Sequence, residues 1–98
     1  MAKFIFSQKA INDLNGIWDY TVETWSEKQA DKYYEGISQQ VSEISKNPDL
    51  GKRYVEVDGN LLGFRTEKHV IFYQISGNTI EVIRILHAQM DLKKRIKE

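Results

Sequence analysis

A chain of 98 residues with fourteen Lys and Arg against fourteen Asp and Glu carries no net charge, no cysteine and a single proline. That length makes one domain, residues 1–98, burying roughly two-thirds of its unfolded surface, and the 41% apolar content supplies a core. The composition excludes a disulfide framework, a thiol nucleophile and a zinc ribbon, and fits a reducing cytoplasm.

In chain order, Lys3-Phe4-Ile5-Phe6 is short, aromatic and β-branched, which suits a strand. It leads directly into polar residues, so no signal peptide is expected, and no apolar run approaches the ~20 residues of a membrane span. Ser7 offers a helix cap, after which Ala10, Ile11, Leu14, Ile17, Trp18, Thr21 and Trp25 recur at helical spacing. Gly16 interrupts this helix, which leaves two readings: close approach of another element, or simple tolerance of glycine. Ser26-Glu27-Lys28-Gln29 is a capping box that restarts a helix. Its stripe is Ala30, Tyr33, Tyr34, Ile37, Val41 and Ile44, and it ends at Lys46-Asn47-Pro48. Two helices joined by almost no linker fold into an antiparallel hairpin.

The second half changes period. Tyr54 to Val57 alternates and precedes the turn Asp58-Gly59-Asn60; Leu61 to Thr66, His69 to Ile75 and Thr79 to Leu86 are the next strands. Ser76-Gly77-Asn78 marks a tight hairpin. Ala88 to Glu98 reads as a short amphipathic helix. The expected fold is a two-layer α+β domain: an N-terminal strand and an antiparallel helical hairpin packed on an antiparallel sheet, with a short C-terminal helix.

Charge is divided unevenly. Residues 1–49 hold five Lys, no Arg and eight acids, a balance of −3; residues 50–98 hold five Lys, four Arg and six acids, a balance of +3. Every arginine lies in the second half, at Arg53, Arg65, Arg84 and Arg95, so an anion-facing surface is to be sought there. Arg65 and Arg84, separated by the middle strand of a meander, can share one face of a curved sheet with His87. Such a set would hold a phosphodiester and move a proton. The alternative is that both arginines pair with Glu81, Glu67 or Asp91. His69 is expected in a polar turn before the central strand. Two histidines eighteen residues apart, without clustered carboxylates, make a weak metal site, so no metal is expected. Trp18, Trp25, Tyr33 and Tyr34 are more suited to core or partner packing than to base stacking. A pI near 6.7 argues against a domain that grasps phosphate backbones.

The stretches from Phe6 to Tyr34 and from Asn47 to Ile96 resemble ParE toxins of the RelE/ParE superfamily of type II toxin–antitoxin systems. The most telling parts are G-F-R at 63–65, H-V-I-F-Y at 69–73 and R-I-L-H-x-x-M-D at 84–91. In that superfamily, RelE-like members are ribosome-dependent endoribonucleases, whereas ParE-like members are reported as poisons of DNA gyrase. Arg65 and Arg84 match functional arginines of the ribonucleases, and His87 stands near their C-terminal Tyr or His. This sequence departs from them in having no tyrosine after Tyr73, only Lys52 and Arg53 in the 47–54 loop, and a neutral pI.

The resemblance therefore implies a cytoplasmic toxin that inhibits DNA gyrase by protein contact and is neutralised by a cognate ParD-like antitoxin. It implies no cofactor, no membrane partner and no sequence-specific nucleic-acid binding. Arg65, Arg84, His87, Met90, Asp91 and Leu92 are the expected contacts with antitoxin or target. The alternatives it leaves are a RelE-type endoribonuclease with Arg65, Arg84 and His87 as its catalytic set, and a non-toxic relative that only binds its antitoxin.

Overall fold

The computed structural model describes residues 3–54, 60–66 and 68–87. The order is β1 (Lys3–Phe6), α1 (Gln8–Thr24), α2 (Glu27–Lys46), a single 3-10 turn (Pro48–Leu50), β2 (Lys52–Arg53), β3 (Leu62–Arg65), β4 (His69–Ser76) and β5 (Thr79–His87). Both helix starts follow the sequence signals. Ser7 Oγ accepts the amide of Ala10 at 3.0 Å, and Ser26 Oγ accepts that of Gln29 at 3.0 Å. Of the expected strand at Tyr54–Val57, Tyr54 lies just beyond β2 (Lys52–Arg53), and residues 55–57 lie outside the described residues. So does the expected helix at 88–98.

The five strands form one sheet in the order β1-β5-β4-β3-β2. Sequence reading expects an antiparallel sheet, but β1 runs parallel to β5, from Lys3 opposite Thr79 to Phe6 opposite Val82. Hydrogen bonds hold this arrangement at both ends: Lys3 N–H donates to the Asn78 carbonyl at 2.9 Å, and Ser7 N–H to the Val82 carbonyl at 2.9 Å. The other pairings are antiparallel. β4 and β5 are joined by a two-residue turn in which Gly77 takes φ of 59°, the left-handed conformation glycine allows.

Strand alternation sends Ile71, Tyr73, Ile80, Val82 and Ile85 into one core with Ala10, Ile37, Val41 and Ile44 of the helices. The opposite face gathers Leu61, Val70, Phe72 and Leu86, with Tyr54 and Ile83 packed against them. A bulge in β5 sets this division. Phe72 faces Arg84 while Tyr73 faces Val82, which leaves Ile83 as the extra residue. Without that residue, strict alternation from Ile80 and Val82 would put Leu86 under the helices and His87 away from them. With it, Ile85 and His87 take the helical side.

α2 supplies most of the helical core through Ala30, Ile37, Val41 and Ile44, whereas α1 buries only Ala10 and Thr21. Ile11 and Trp25, expected on the apolar stripe of α1, are exposed, Trp25 by 68%. The second half of α1 stands over the end of β5 without closing on it. Tyr73, wholly buried, ties the turn after α2 to the sheet: its hydroxyl donates to the Pro48 carbonyl at 2.7 Å and accepts the Gly51 amide at 2.8 Å. Among the described residues, no helix is long and apolar enough to cross a membrane.

Candidate functional site

The space between the second half of α1, the start of α2 and the end of β5 is an open groove of about 960 Å³. α1 contributes Asp13, Gly16, Tyr20 and Trp25; α2 contributes Tyr33; the sheet contributes His69, Arg84 and His87, with Lys68 at the rim. Tyr20 and Trp25 are both well exposed, and Lys68 Nζ lies 5.8 Å from the centre of the Trp25 ring, a cation–π contact.

Two polar clusters form its floor. In the first, Arg84 donates from Nε to Asp13 Oδ2 at 2.8 Å and from Nη2 to Oδ1 at 3.1 Å, a bidentate pair. Asp13 Oδ2 also accepts the Ile85 amide at 3.0 Å. Both side chains are largely buried. The carboxylate thus satisfies a backbone donor beside the bulge and also neutralises the arginine. Ser7 adds to this joint, its hydroxyl donating to the Ile83 carbonyl at 2.7 Å.

In the second cluster, the Tyr33 hydroxyl is hydrogen-bonded to His69 Nδ1, and the His69 and His87 rings meet edge to face with centroids 5.3 Å apart. His69 belongs to β4 and is buried, contrary to the polar turn expected of it. The helical hairpin covers the first residue of the strand as well as its middle. Burial pushes the His69 pKa from 6.5 down to about 4; His87 and Lys68 add to the effect, and Asp13 opposes it. His69 is therefore a neutral imidazole at pH 7.

The expected site residues are distributed as follows. Arg84 and His87 share the groove. Arg65 does not join them: it is exposed and sits opposite Val70, whose side chain belongs to the far face. The expected meander is present, but Arg84 is bound by Asp13 of α1 and lines the groove, which Arg65 does not. Arg84 pairs with Asp13, from the acidic half of the chain, while Glu67 and Asp91 of the alternative lie outside the described residues. Met90, Asp91 and Leu92 lie outside the described residues. Sequence reading missed Asp13 and Tyr33 as site residues. Asp13 carried a signal, a carboxylate three residues after Ala10 and four before Ile17, on the buried stripe itself. Gly16 admits no close neighbour, since nothing lies within 4 Å of where its Cβ would be. Among the described residues, no group of three or more His, Cys, Asp or Glu is placed to hold a metal ion.

A family model described as "ParE toxin of type II toxin-antitoxin system, parDE" matches residues 4–92. The chain belongs to this ParE toxin family. Among curated relatives, Toxin ParE1 of Caulobacter vibrioides is 31% identical, the match covering 98% of this chain and 99% of the relative. Toxin ParE1 of Mycobacterium tuberculosis is 28% identical over 97% of this chain and 98% of its own. A solved chain from the chromosomal ParDE system of P. aeruginosa has a TM-score of 0.79 at 21% identity, covering 91% of this chain and 98% of that one. The toxin–antitoxin complex RelBE2 from Mycobacterium tuberculosis includes a chain at TM-score 0.60 and 16% identity, covering 88% and 96%. The fold is thus shared with a chain of that RelBE2 complex, and the family match assigns this chain to the ParE toxins.

Proposed function

We propose that this ParE-family toxin acts in the cytoplasm on DNA gyrase by protein–protein contact, without cutting nucleic acid itself. A cognate ParD-like antitoxin neutralises it. One observation carries this choice between the superfamily's two activities. The ribonuclease reading needs Arg65 and Arg84 on a common phosphate, but Arg84 is already bound bidentately by Asp13 in the groove, and the exposed Arg65 does not line that groove. The absence of net charge supports the same reading, because ribosome-seeking nucleases must neutralise many phosphates.

The antitoxin segment is an acidic and apolar stretch that folds on binding, and it occupies the groove beside Arg84 and His87. Tyr20 and Trp25 offer it apolar contact, while Lys68 supplies an accessible positive charge. Arg65, on the far face, and Met90, Asp91 and Leu92 remain contacts for antitoxin or target.

Two assays on the purified toxin decide the matter. Gyrase supercoiling should be inhibited, or covalently cleaved DNA should accumulate, with ribosome-bound mRNA left intact. Codon-phased cuts in primer extension, abolished by His87→Ala, would replace this reading with the endoribonuclease. Inactivity in both, with tight antitoxin binding, would leave a non-toxic relative.

A further inference from the structure

We propose that the floor of the groove receives one carboxylate of the antitoxin, and that the His69–His87 pair takes up a proton when that carboxylate is seated. The groove as the antitoxin's seat is the reading on which this rests; the charge of the lining says which chemistry fits. α1 brings Asp13 and Tyr20, α2 brings Tyr33, and the sheet brings His69, Arg84 and His87, with Lys68 at the rim. Lys68, His69, Arg84 and His87 are basic, and among the described residues Asp13 is the one carboxylate of the lining. Asp13 is already engaged, by Arg84 through both oxygens and by the Ile85 amide. With Asp13 matched to Arg84, the lining keeps the surplus positive charge of the exposed Lys68, beside two imidazoles able to add to it. An anion complements such a surface.

The imidazoles couple this recognition to pH. His69 and His87 stand opposite each other in the β4–β5 register, their rings edge to face with centroids 5.3 Å apart. Like charges so close oppose each other, so the pair takes one proton and not two near neutrality. In the toxin alone, burial, His87 and Lys68 keep His69 neutral, and Asp13 alone opposes them. A carboxylate within about 4–6 Å of the rings reverses that balance, because an opposite charge favours the imidazolium. It also offsets Lys68, one of the groups that resist the proton. Tyr33 suits either state: its hydroxyl, hydrogen-bonded to His69 Nδ1, donates to a neutral ring and accepts from a protonated one. Proton uptake on binding means that acid tightens the complex.

The experiment is calorimetric titration of the full, untagged chain with the ParD-like product of the neighbouring gene, at pH 6.5 in two buffers of different ionisation enthalpy. The change in observed heat between buffers gives the protons taken up, and about half a proton or more per complex is expected. Affinity should then rise about fivefold from pH 7.5 to pH 6, since a full proton is worth tenfold per pH unit. The chain has only these two histidines, so NMR of its imidazole nitrogens follows each ring, and one should move to the protonated form in the complex. Binding that shifts the imidazoles without proton uptake would overturn the proposal and keep the antitoxin in the groove. Binding that leaves both imidazoles unshifted would place the antitoxin elsewhere and overturn both readings. The double variant His69→Gln/His87→Gln should bind without uptake, and uptake persisting in it would overturn the proposal too. If that variant does not fold, the wild-type measurements decide alone.

Discussion

Asp13 and Arg84 are 71 residues apart in sequence, yet they form a bidentate pair whose carboxylate also accepts the Ile85 amide. The arginine that family resemblance marks as functional is therefore also part of the joint between α1 and β5. Loss of toxicity in an Arg84 variant would not by itself reveal a contact with target, because the fold would be weakened too.

A double-mutant cycle separates the two roles. Asp13→Ala leaves Arg84 largely buried without its counter-charge and should cost about 2–3 kcal/mol, somewhat below the figure for a fully buried pair. Combining Asp13→Leu with Arg84→Met should recover much of that loss. Urea unfolding measures both. A double variant destabilised by the sum of the two single variants would mean that the pair is not coupled.

Stability should fall as the solution is acidified from pH 6.5 toward pH 4. The folded His69 has its pKa lowered to about 4, so between these values the unfolded chain binds the extra proton. This contribution is fully present above pH 6.5 and is lost on descending through that window, on the order of 2 kcal/mol. Denaturation midpoints measured from pH 4 to pH 8 should show this slope, and His69→Gln should flatten it.

Gly51 and Tyr73 are in close contact. A Cβ on Gly51 would collide with the Tyr73 hydroxyl and ring, so Gly51→Ala should destabilise by about 2 kcal/mol. Tyr73→Phe keeps the ring but leaves the Gly51 amide and the Pro48 carbonyl without their partner, at a cost of about 1–3 kcal/mol. Thermal unfolding checks both. A neutral Gly51→Ala would show that the turn after α2 shifts freely.

Gly16→Ala should act in the opposite direction. Nothing occupies the space its methyl would take, so helix propensity should raise stability by about 0.5–1 kcal/mol. The same methyl projects into the groove, so affinity for an antitoxin seated there should fall even as the toxin becomes more stable. Undiminished affinity, measured by calorimetry, would place the antitoxin elsewhere.

Much of the fold was legible because its signals are local. Ser7, Ser26 and Pro48 bound the helices, and the Ser76-Gly77-Asn78 turn pairs the last two strands, each through chemistry within a few residues. What escaped was set by distance along the chain. The parallel partner of β1 lies more than seventy residues away, and no period reveals it. The bulge at Ile83 is a single extra residue inside a run that reads as continuous β-structure, yet it turns Ile85 and His87, rather than Leu86, toward the helices. His69 reads as part of a polar turn because it precedes the apolar run of the central strand, and tertiary packing by Tyr33 makes it a core residue. The sequence groups Arg65, Arg84 and His87; the structure keeps Arg84 and His87 in one groove and leaves Arg65 out of it, because position across the sheet follows from register.

The anchoring of Ser7 on Ile83, 76 residues further along, has a consequence for how the toxin is made. The helical hairpin is synthesised first, but its docking partner on the sheet is among the last of the described segments to leave the ribosome. Contacts of such long range close slowly and late. Until β5 emerges, the nascent chain has neither the Asp13–Arg84 joint nor the groove floor, and its apolar helix faces have no sheet to cover them. The completed groove, and with it anything an antitoxin would recognise there, exists only once β5 has emerged.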